Sequence, residues 1–236
     1  MRTGFIAILG RPNVGKSTLL NAMLGEKIAI VSNKPQTTRT RITGILTKGE
    51  DQFVFLDTPG LIKAKNRLGD FMVRTVSDTI GEVDACIVVV EAGMKPGATD
   101  LAAIQRISAK KLPAILVINK TDRVGGEAVG KSILEYRDLY DFSAVVPTSA
   151  EHGRGVQDVI DEASRLLHEG SWFFEADDIT DQPERQIAAE IIREKLLWCL
   201  DREVPHGTAV EIEKFSERED SGIIDIEAVI YCEKAS

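Results

Sequence analysis

The octapeptide Gly10-Arg11-Pro12-Asn13-Val14-Gly15-Lys16-Ser17 constrains this chain more than any other stretch of it. It has the spacing GxxxxGK[ST], follows an apolar run at residues 5–9 and opens into a helical pattern at residues 16–24. That strand–loop–helix setting is the one in which the motif holds phosphate. The glycines let successive backbone N–H groups form a concave nest around an anion, and the helix start adds its positive end. Lys16 is expected to reach the β- and γ-phosphates of a nucleotide, and the Ser17 hydroxyl to ligate Mg²⁺. Gly10, Asn13, Val14, Gly15 and Thr18 complete the expected phosphate-side set.

Further apolar runs at residues 53–56, 85–90, 114–118 and 144–146 lack polar alternation, as do strands covered on both faces in a parallel sheet. Helical patterns at 67–81, 98–110, 127–139 and 156–168 lie between them. A less apolar strand at 42–48 is expected to pair with 52–57 as a hairpin across Gly49-Glu50-Asp51. The alternation predicts an α/β domain over residues 1–170, a mostly parallel sheet with helices on both faces. An acidic, proline-containing stretch at 171–183 reads as a linker. Residues 184–236 read as a partial α+β unit in the order α-β-β. Its helix, at 184–200, takes Ile187, Ile191, Ile192, Leu196 (or Lys195) and Leu200 at helical spacing, and its strands lie at 208–215 and 223–232. About 50 residues is small for a core of its own.

The 236 residues carry 29 Lys and Arg against 37 Asp and Glu, a net charge of −8. Taken whole, that speaks against a nucleic-acid binder, which is usually basic. The charge is uneven, however. Residues 171–236 hold 7 basic and 17 acidic side chains, whereas residues 1–170 hold 22 and 20. Cys86, Cys199 and Cys232 are odd in number and form no CxxC pair. They fit neither a disulfide framework nor a zinc site, and each reads as a buried small residue in a reducing cytosol. No apolar run approaches the ~18 residues of a membrane span, and the run at 5–9 ends in the glycine loop, unlike a signal peptide. His152, His168 and His206 have no ligand spacing. Trp172-Phe173-Phe174 is expected to be an interdomain packing anchor, and Trp198 to lie in the tail's core.

Asn119-Lys120-Thr121-Asp122 closes the run at 114–118. A carboxylate there can accept from both N1–H and the exocyclic amine of guanine. Adenine offers neither donor and would leave Asp122 unpaired, a penalty that makes the site selective. GTP and GDP are therefore the expected ligands. Asn119 is placed to tie this loop to the phosphate loop, and the Lys120 stem to cover the base. Thr148-Ser149-Ala150 ends the next strand, where the small Ser149 and Ala150 let backbone N–H groups approach the guanine oxygen. In Asp57-Thr58-Pro59-Gly60, Asp57 is expected to hold Mg²⁺ through water and the Gly60 N–H to contact the γ-phosphate. Asp78-Thr79-Ile80-Gly81 repeats the spacing inside a helical pattern and reads as structural. Within Lys34-Pro35-Gln36-Thr37-Thr38-Arg39, Thr38 is the expected second Mg²⁺ ligand and Thr37 the alternative. Loss of the γ-phosphate would free that loop.

These motifs, in this order, resemble the Era-like GTPases of the TRAFAC class. The resemblance rests on Gly-Arg-Pro-Asn-Val-Gly-Lys-Ser-Thr-Leu-Leu-Asn at 10–21, Val-Ser-Asn-Lys-Pro-Gln-Thr-Thr-Arg at 31–39, Asp-Thr-Pro-Gly-Leu at 57–61 and Lys-Asn-Arg-Leu-Gly at 65–69. Related ribosome and tRNA-modification GTPases carry a Gly-Thr-Thr-Arg-Asp style sequence in place of the Lys-Pro-Gln-Thr-Thr-Arg stretch. The match spans residues 1–170, and the α-β-β tail is similar to the start of a type II KH domain. It implies GTP hydrolysis, binding of small-subunit ribosomal RNA near its 3′ end and a role in small ribosomal subunit assembly. It also implies a cytoplasmic monomer with loose peripheral association at the inner face of the cell membrane. A type II KH domain continues into a helix–GxxG–helix that clamps nucleotides. No two of the 19 glycines here are three apart, so the chain is expected to be truncated before that segment.

Leu61 stands where related GTPases place a water-orienting Gln, so slow turnover is expected. In similar GTPases an Asn at the position of Asn13 helps hold K⁺, which takes the place of an arginine finger between the β- and γ-phosphates. Lys16, Asn13, Thr38 and Gly60 are thus the residues expected to carry catalysis. Arg39, Arg41, Lys63, Lys65 and Arg67 read as a solvated basic surface, with RNA contact as the alternative. Two other readings stand beside this one. A nucleotide kinase is opposed by the 119–122 pattern, and a GTP-dependent scaffold with negligible hydrolysis is raised by Leu61.

Overall fold

A computed structural model of the chain describes residues 1–32, 34, 37–61, 67–199, 208–218 and 221–232. The order is β1 (Arg2–Leu9), α1 (Lys16–Leu24), β2 (Ile42–Lys48), β3 (Asp51–Asp57), α2 (Arg67–Glu82), β4 (Ala85–Glu91), α3 (Ala98–Lys110) and β5 (Ala114–Asn119). There follow α4 (Gly126–Arg137), β6 (Ala144–Pro147), α5 (Val156–Ser164), β7 (His168–Glu169), α6 (Glu184–Cys199), β8 (Thr208–Glu217) and β9 (Ile224–Cys232).

Unalternating apolar strands must be covered on both sides, and the main sheet satisfies this. Six of its strands lie in the order β2-β3-β1-β4-β5-β6, parallel except for β2, which runs antiparallel to β3, and the short β7 joins β1 antiparallel. The β2–β3 turn is tighter than expected, since Lys48 already pairs with Asp51 and Gly49 takes a left-handed φ of 64°. One apolar layer joins Leu19, Leu20 and Met23 of α1 with Val156, Val159, Ile160 and Ala163 of α5. The other joins Val76 and Ile80 of α2 with Ala103, Ile104 and Ile107 of α3 and Tyr136 of α4. These spacings of three and four residues put each apolar set on one helix face. Each Val, Leu or Ile so buried contributes about 1.5–3 kcal/mol.

Helix α5 stops at Ser164, four residues short of expectation. Two of the residues beyond it, His168 and Glu169, form β7 and pair antiparallel with Thr3 and Arg2. The aromatic triplet that follows packs on the main sheet, not between two units. Gln52 Oε1 accepts the N–H groups of Phe173 and Phe174, its Nε2 donates to the Phe174 carbonyl, and the Phe173 ring lies 4.7 Å from Phe5. The acidic stretch after it is seated too. The Ile45 N–H donates to the Ile179 carbonyl at 2.9 Å, and the Thr180 hydroxyl donates to the Thr43 carbonyl at 2.6 Å. Both contacts lie on β2, the edge strand.

In the tail, β8 and β9 form an antiparallel pair with an irregularity between Ile212 and Lys214, and α6 packs on β8. The expected stripe on α6 is not its buried face. Ile191 is exposed, whereas Arg193, Glu194 and Leu197 are buried; Leu200 lies outside the described residues. Trp198, expected in the core, is 66% exposed. Of the cysteines only Cys86 is buried, and Cys199 and Cys232 are exposed. Among the described residues no helix is long and apolar enough to cross a membrane.

Candidate functional site

In an open parallel sheet, ligands bind beyond the carboxyl ends of the strands. Here those ends bring together Gly10 after β1, Asp57 closing β3, Asn119 closing β5 and Thr148 after β6. They face a cavity of about 370 Å³ whose lining includes Asn13, Lys16, Thr38, Gly60, Asp122 and Trp198.

The phosphate side begins at Gly15, whose left-handed φ of 99° starts α1. Lys16 is buried, and its Nζ donates to the Arg11 carbonyl at 3.1 Å. Burial pulls the Lys16 ammonium below its usual pKa, partly offset by Asp57. Gly60 lies against Pro12, and a Cβ there would come within 2.7 Å of the Pro12 Cα. Only a glycine lets the two loops approach this closely. Asn13 holds a left-handed φ of 63° and is exposed at the cavity wall. Leu61 turns away into the core, and its N–H donates to the Gly10 carbonyl at 3.1 Å.

Three side-chain oxygens converge beside Lys16. The Ser17 hydroxyl donates to Asp57 Oδ2 at 2.5 Å and lies 3.0 Å from the Thr38 hydroxyl. Asp57 Oδ1 is buried and meets no hydrogen-bond donor among the described residues. Burial pushes the Asp57 carboxyl up to about 6, against the pull of Lys16 and the Ser17 hydroxyl. A buried carboxylate oxygen with no donor, next to two hydroxyls, is a hard-oxygen set that suits Mg²⁺. Thr37 is turned elsewhere. Its hydroxyl donates to the Lys34 carbonyl at 2.7 Å and meets the Ser32 hydroxyl at 2.7 Å.

The base side is built on Asn119. Its Nδ2 donates to the Val14 carbonyl at 2.8 Å, and its Oδ1 accepts from the Ala150 N–H at 3.0 Å and the Thr148 hydroxyl at 3.1 Å. One amide therefore ties the phosphate loop to both base loops. The Ser149 hydroxyl donates to Asp122 Oδ1 at 2.5 Å, and this bond leads the causes that hold the Asp122 carboxyl below its usual pKa. The backbone of 149–150 departs from expectation. The Ser149 N–H donates to the Arg154 carbonyl and the Ala150 N–H to Asn119, so both are engaged inside the protein. Ser149 acts here through its side chain. Lys120 extends to Glu91 Oε2 at 2.8 Å.

Three contributors escaped the sequence. Glu91 ends the β4 run as an ordinary strand-terminal charge. The Arg11 carbonyl belongs to a motif position that any residue can fill. Trp198 lines the cavity from 79 residues beyond Asn119, and only its lone aromatic character marked it. The second Asp-x-x-Gly, at Asp78, lies within α2 and takes no part. Arg41 pairs with Glu82 at 2.9 Å and Arg39 donates to the Thr208 carbonyl at 2.9 Å; Lys63 and Lys65 lie outside the described residues.

A parallel sheet with this loop, this buried lysine and this carboxylate–hydroxyl cluster defines a P-loop GTPase. A family profile described as "50S ribosome-binding GTPase" matches residues 5–120. The chain belongs to the Era family of GTPases. It is 50% identical over 235 residues to GTPase Era of Ruminiclostridium cellulolyticum, covering all of this chain and 78% of that relative. Two solved structures are similar at 36% identity and span 98% of the chain. A point variant of Aquifex aeolicus Era bound to GDP·AlF4⁻ has a TM-score of 0.92 over 79% of its length. Era in complex with MgGDPNP and nucleotides 1506–1542 of 16S ribosomal RNA has a TM-score of 0.91 over 78% of its length.

Proposed function

We propose that this chain is a guanine-nucleotide switch that hydrolyses GTP slowly and acts through small-subunit ribosomal RNA in assembly of the small ribosomal subunit. The observation that carries the nucleotide part is Asn119, whose one side chain locks the phosphate loop to the two base loops. A kinase has no need of that bridge, whereas a protein selecting guanine needs base and phosphate held in fixed register. The RNA part rests on the Era complex, whose RNA is a 16S fragment. The tail of this chain, residues 184–236 after a linker at 171–183, is read as the beginning of a KH-like unit. Action as a monomer and peripheral association with the inner membrane face belong to the same proposal and rest on the family resemblance alone.

In this reading Ser17, Thr38 and Asp57 hold Mg²⁺, which neutralises charge on the β- and γ-phosphates when bound. The Ser17–Thr38 distance of 3.0 Å supports Thr38 over Thr37. Lys16 and the Gly60 N–H face the γ-phosphate, and Asn13 is the residue proposed to help hold K⁺. Asp122 accepts from the guanine edge while Ser149 keeps it ionised and oriented. Leu61, packed in the core, brings no polar group to the attacking water. Slow turnover follows from that, and the same observation favours a second reading, a GTP-dependent scaffold with negligible hydrolysis.

Binding of GDP and ADP to the 236-residue chain, followed by single-turnover hydrolysis of GTP, tests both. The proposal expects GDP to bind at least about 100-fold tighter than ADP, the scale of selectivity reached when the wrong base leaves a charged group unpaired. It also expects measurable phosphate release. Equal affinities refute the switch, and selective binding without release leaves the scaffold.

A further inference from the structure

Helix α6 meets Lys27, Val31 and Thr37 with polar side chains. Glu194 is 1% exposed. Its Oε1 accepts the Val31 N–H at 2.9 Å, and its Oε2 accepts Lys27 Nζ at 2.6 Å. One helical turn on, Trp198 Nε1–H donates to the Val31 carbonyl at 3.1 Å. One helix thus takes both backbone groups of Val31. Arg193, 3% exposed, donates from Nη2 to the Thr37 carbonyl at 2.6 Å, and Glu190 accepts from its Nε and from the same Nη2. The residue after Thr37 is Thr38, whose hydroxyl sits 3.0 Å from Ser17.

Packing alone does not account for this arrangement. Arg and Glu are almost never fully buried unless paired, and burying them costs more than an apolar face would. Desolvation pushes the Glu194 carboxyl up, and the Lys27 ammonium and Val31 N–H outweigh it, so that it stays below its usual pKa. Besides their ion pairs with Glu190 and Lys27, these two side chains hold the Thr37 carbonyl and the Val31 N–H, backbone groups of two residues that line the nucleotide cavity. Trp198 lines that same cavity.

We propose that α6 is a positioning element of the nucleotide site: Arg193 and Glu194 act through Thr37 and Val31 to hold the Thr38 hydroxyl beside Ser17. The tail then tunes discrimination between GTP and GDP in the absence of any RNA. This rests on the reading of Thr38 given above.

The test uses the whole 236-residue chain and reads the ratio of affinities for a non-hydrolysable GTP analogue and for GDP. Arg193→Gln and Glu194→Gln should each lower the ratio about threefold to tenfold, the net weight of one ordinary hydrogen bond. GDP affinity should stay within about twofold. Thr38→Ala should lower the ratio at least as far, and Thr38→Ala combined with Glu194→Gln should lower it no further, because both act on one hydroxyl. A ratio unchanged in Thr38→Ala overturns the reading of Thr38 and this inference with it. A ratio lowered in Thr38→Ala but unchanged in both α6 variants, or additive in the double variant, overturns the inference alone. Should either α6 variant fold poorly, Trp198→Phe removes one indole N–H from an exposed position and must lower the ratio in the same direction. An unchanged ratio there overturns the inference.

Discussion

A Cβ on Gly15 would come within 2.2 Å of Asn119 Nδ2, the same nitrogen that donates to the Val14 carbonyl. Gly15 therefore has a second duty beyond its left-handed φ. It leaves the space through which the base loop grips the phosphate loop. The approach is so close that the smallest side chain would break the grip.

Gly15→Ala should accordingly weaken GDP binding by about 100-fold or more, the sum of backbone strain and a lost buried bond at about 3 kcal/mol. Isothermal titration reads it directly. A variant binding GDP within about threefold of the parent would show that the two loops are not coupled through this contact.

Asp122→Asn exchanges one acceptor for a donor. Guanine should lose about 10- to 100-fold in affinity, as expected for a hydrogen bond to a charged group. Xanthine carries a carbonyl where guanine has its amine, so XDP should gain. Competition of GDP and XDP against a fluorescent nucleotide measures both, and retained preference for GDP counts against Asp122 as the reader of the base.

The Ser149 hydroxyl leads the causes that depress the Asp122 pKa. A depressed carboxylate keeps its ionised contribution above the ordinary value of about 3.9 and loses it only as pH falls through the lowered one. GDP affinity should thus be flat between about pH 7 and pH 5 with respect to this group. In Ser149→Ala the acid loss should begin at a higher pH than in the parent, read by GDP titration at stepped pH. Coincident profiles would remove Ser149 from this role.

At fixed ionic strength, K⁺ should raise turnover several-fold over Na⁺, and Asn13→Ala should erase the difference. Asn13 stands at the cavity wall in a left-handed conformation, which presents its side chain at the loop's rim. Equal rates in the two salts exclude the potassium role.

Gln52→Leu should cost about 2–3 kcal/mol of stability, because three backbone groups of Phe173 and Phe174 lose their partner at once. GDP affinity should not move, since the site lies at the opposite ends of the strands. Urea unfolding followed by nucleotide titration separates the two quantities.

The nucleotide site was legible because its motifs are short and their placement is local. Asp57 and Asn119 close strands that announce themselves by unbroken apolar runs, Asp122 follows three residues after one of them, and Lys16 and Ser17 open the helix after the first run. The helix α6 was legible in its position and not in its orientation. A helical period counts apolar residues, so Ile187 and Ile191 drew the stripe, and the charged Arg193 and Glu194 fell outside what it can register. Their burial depends on backbone groups more than 150 residues away, which no local pattern records. The two-residue β7 is too short to carry a period at all. The Ala150 N–H could not be assigned from sequence, because Asn119 and an incoming base compete for the same donor.

The contacts of Ile179 and Thr180 with β2 bear on how far apart the two parts of the molecule can drift. Were residues 171–183 a free tether, the tail would explore a volume set by chain statistics and meet the nucleotide loop at millimolar effective concentration. With the strand edge holding Ile179 and Thr180, only a few residues separate a fixed point from the start of α6. Local concentration then gives way to mechanical leash length, and a single residue inserted after Thr180 would shift the register at which α6 arrives.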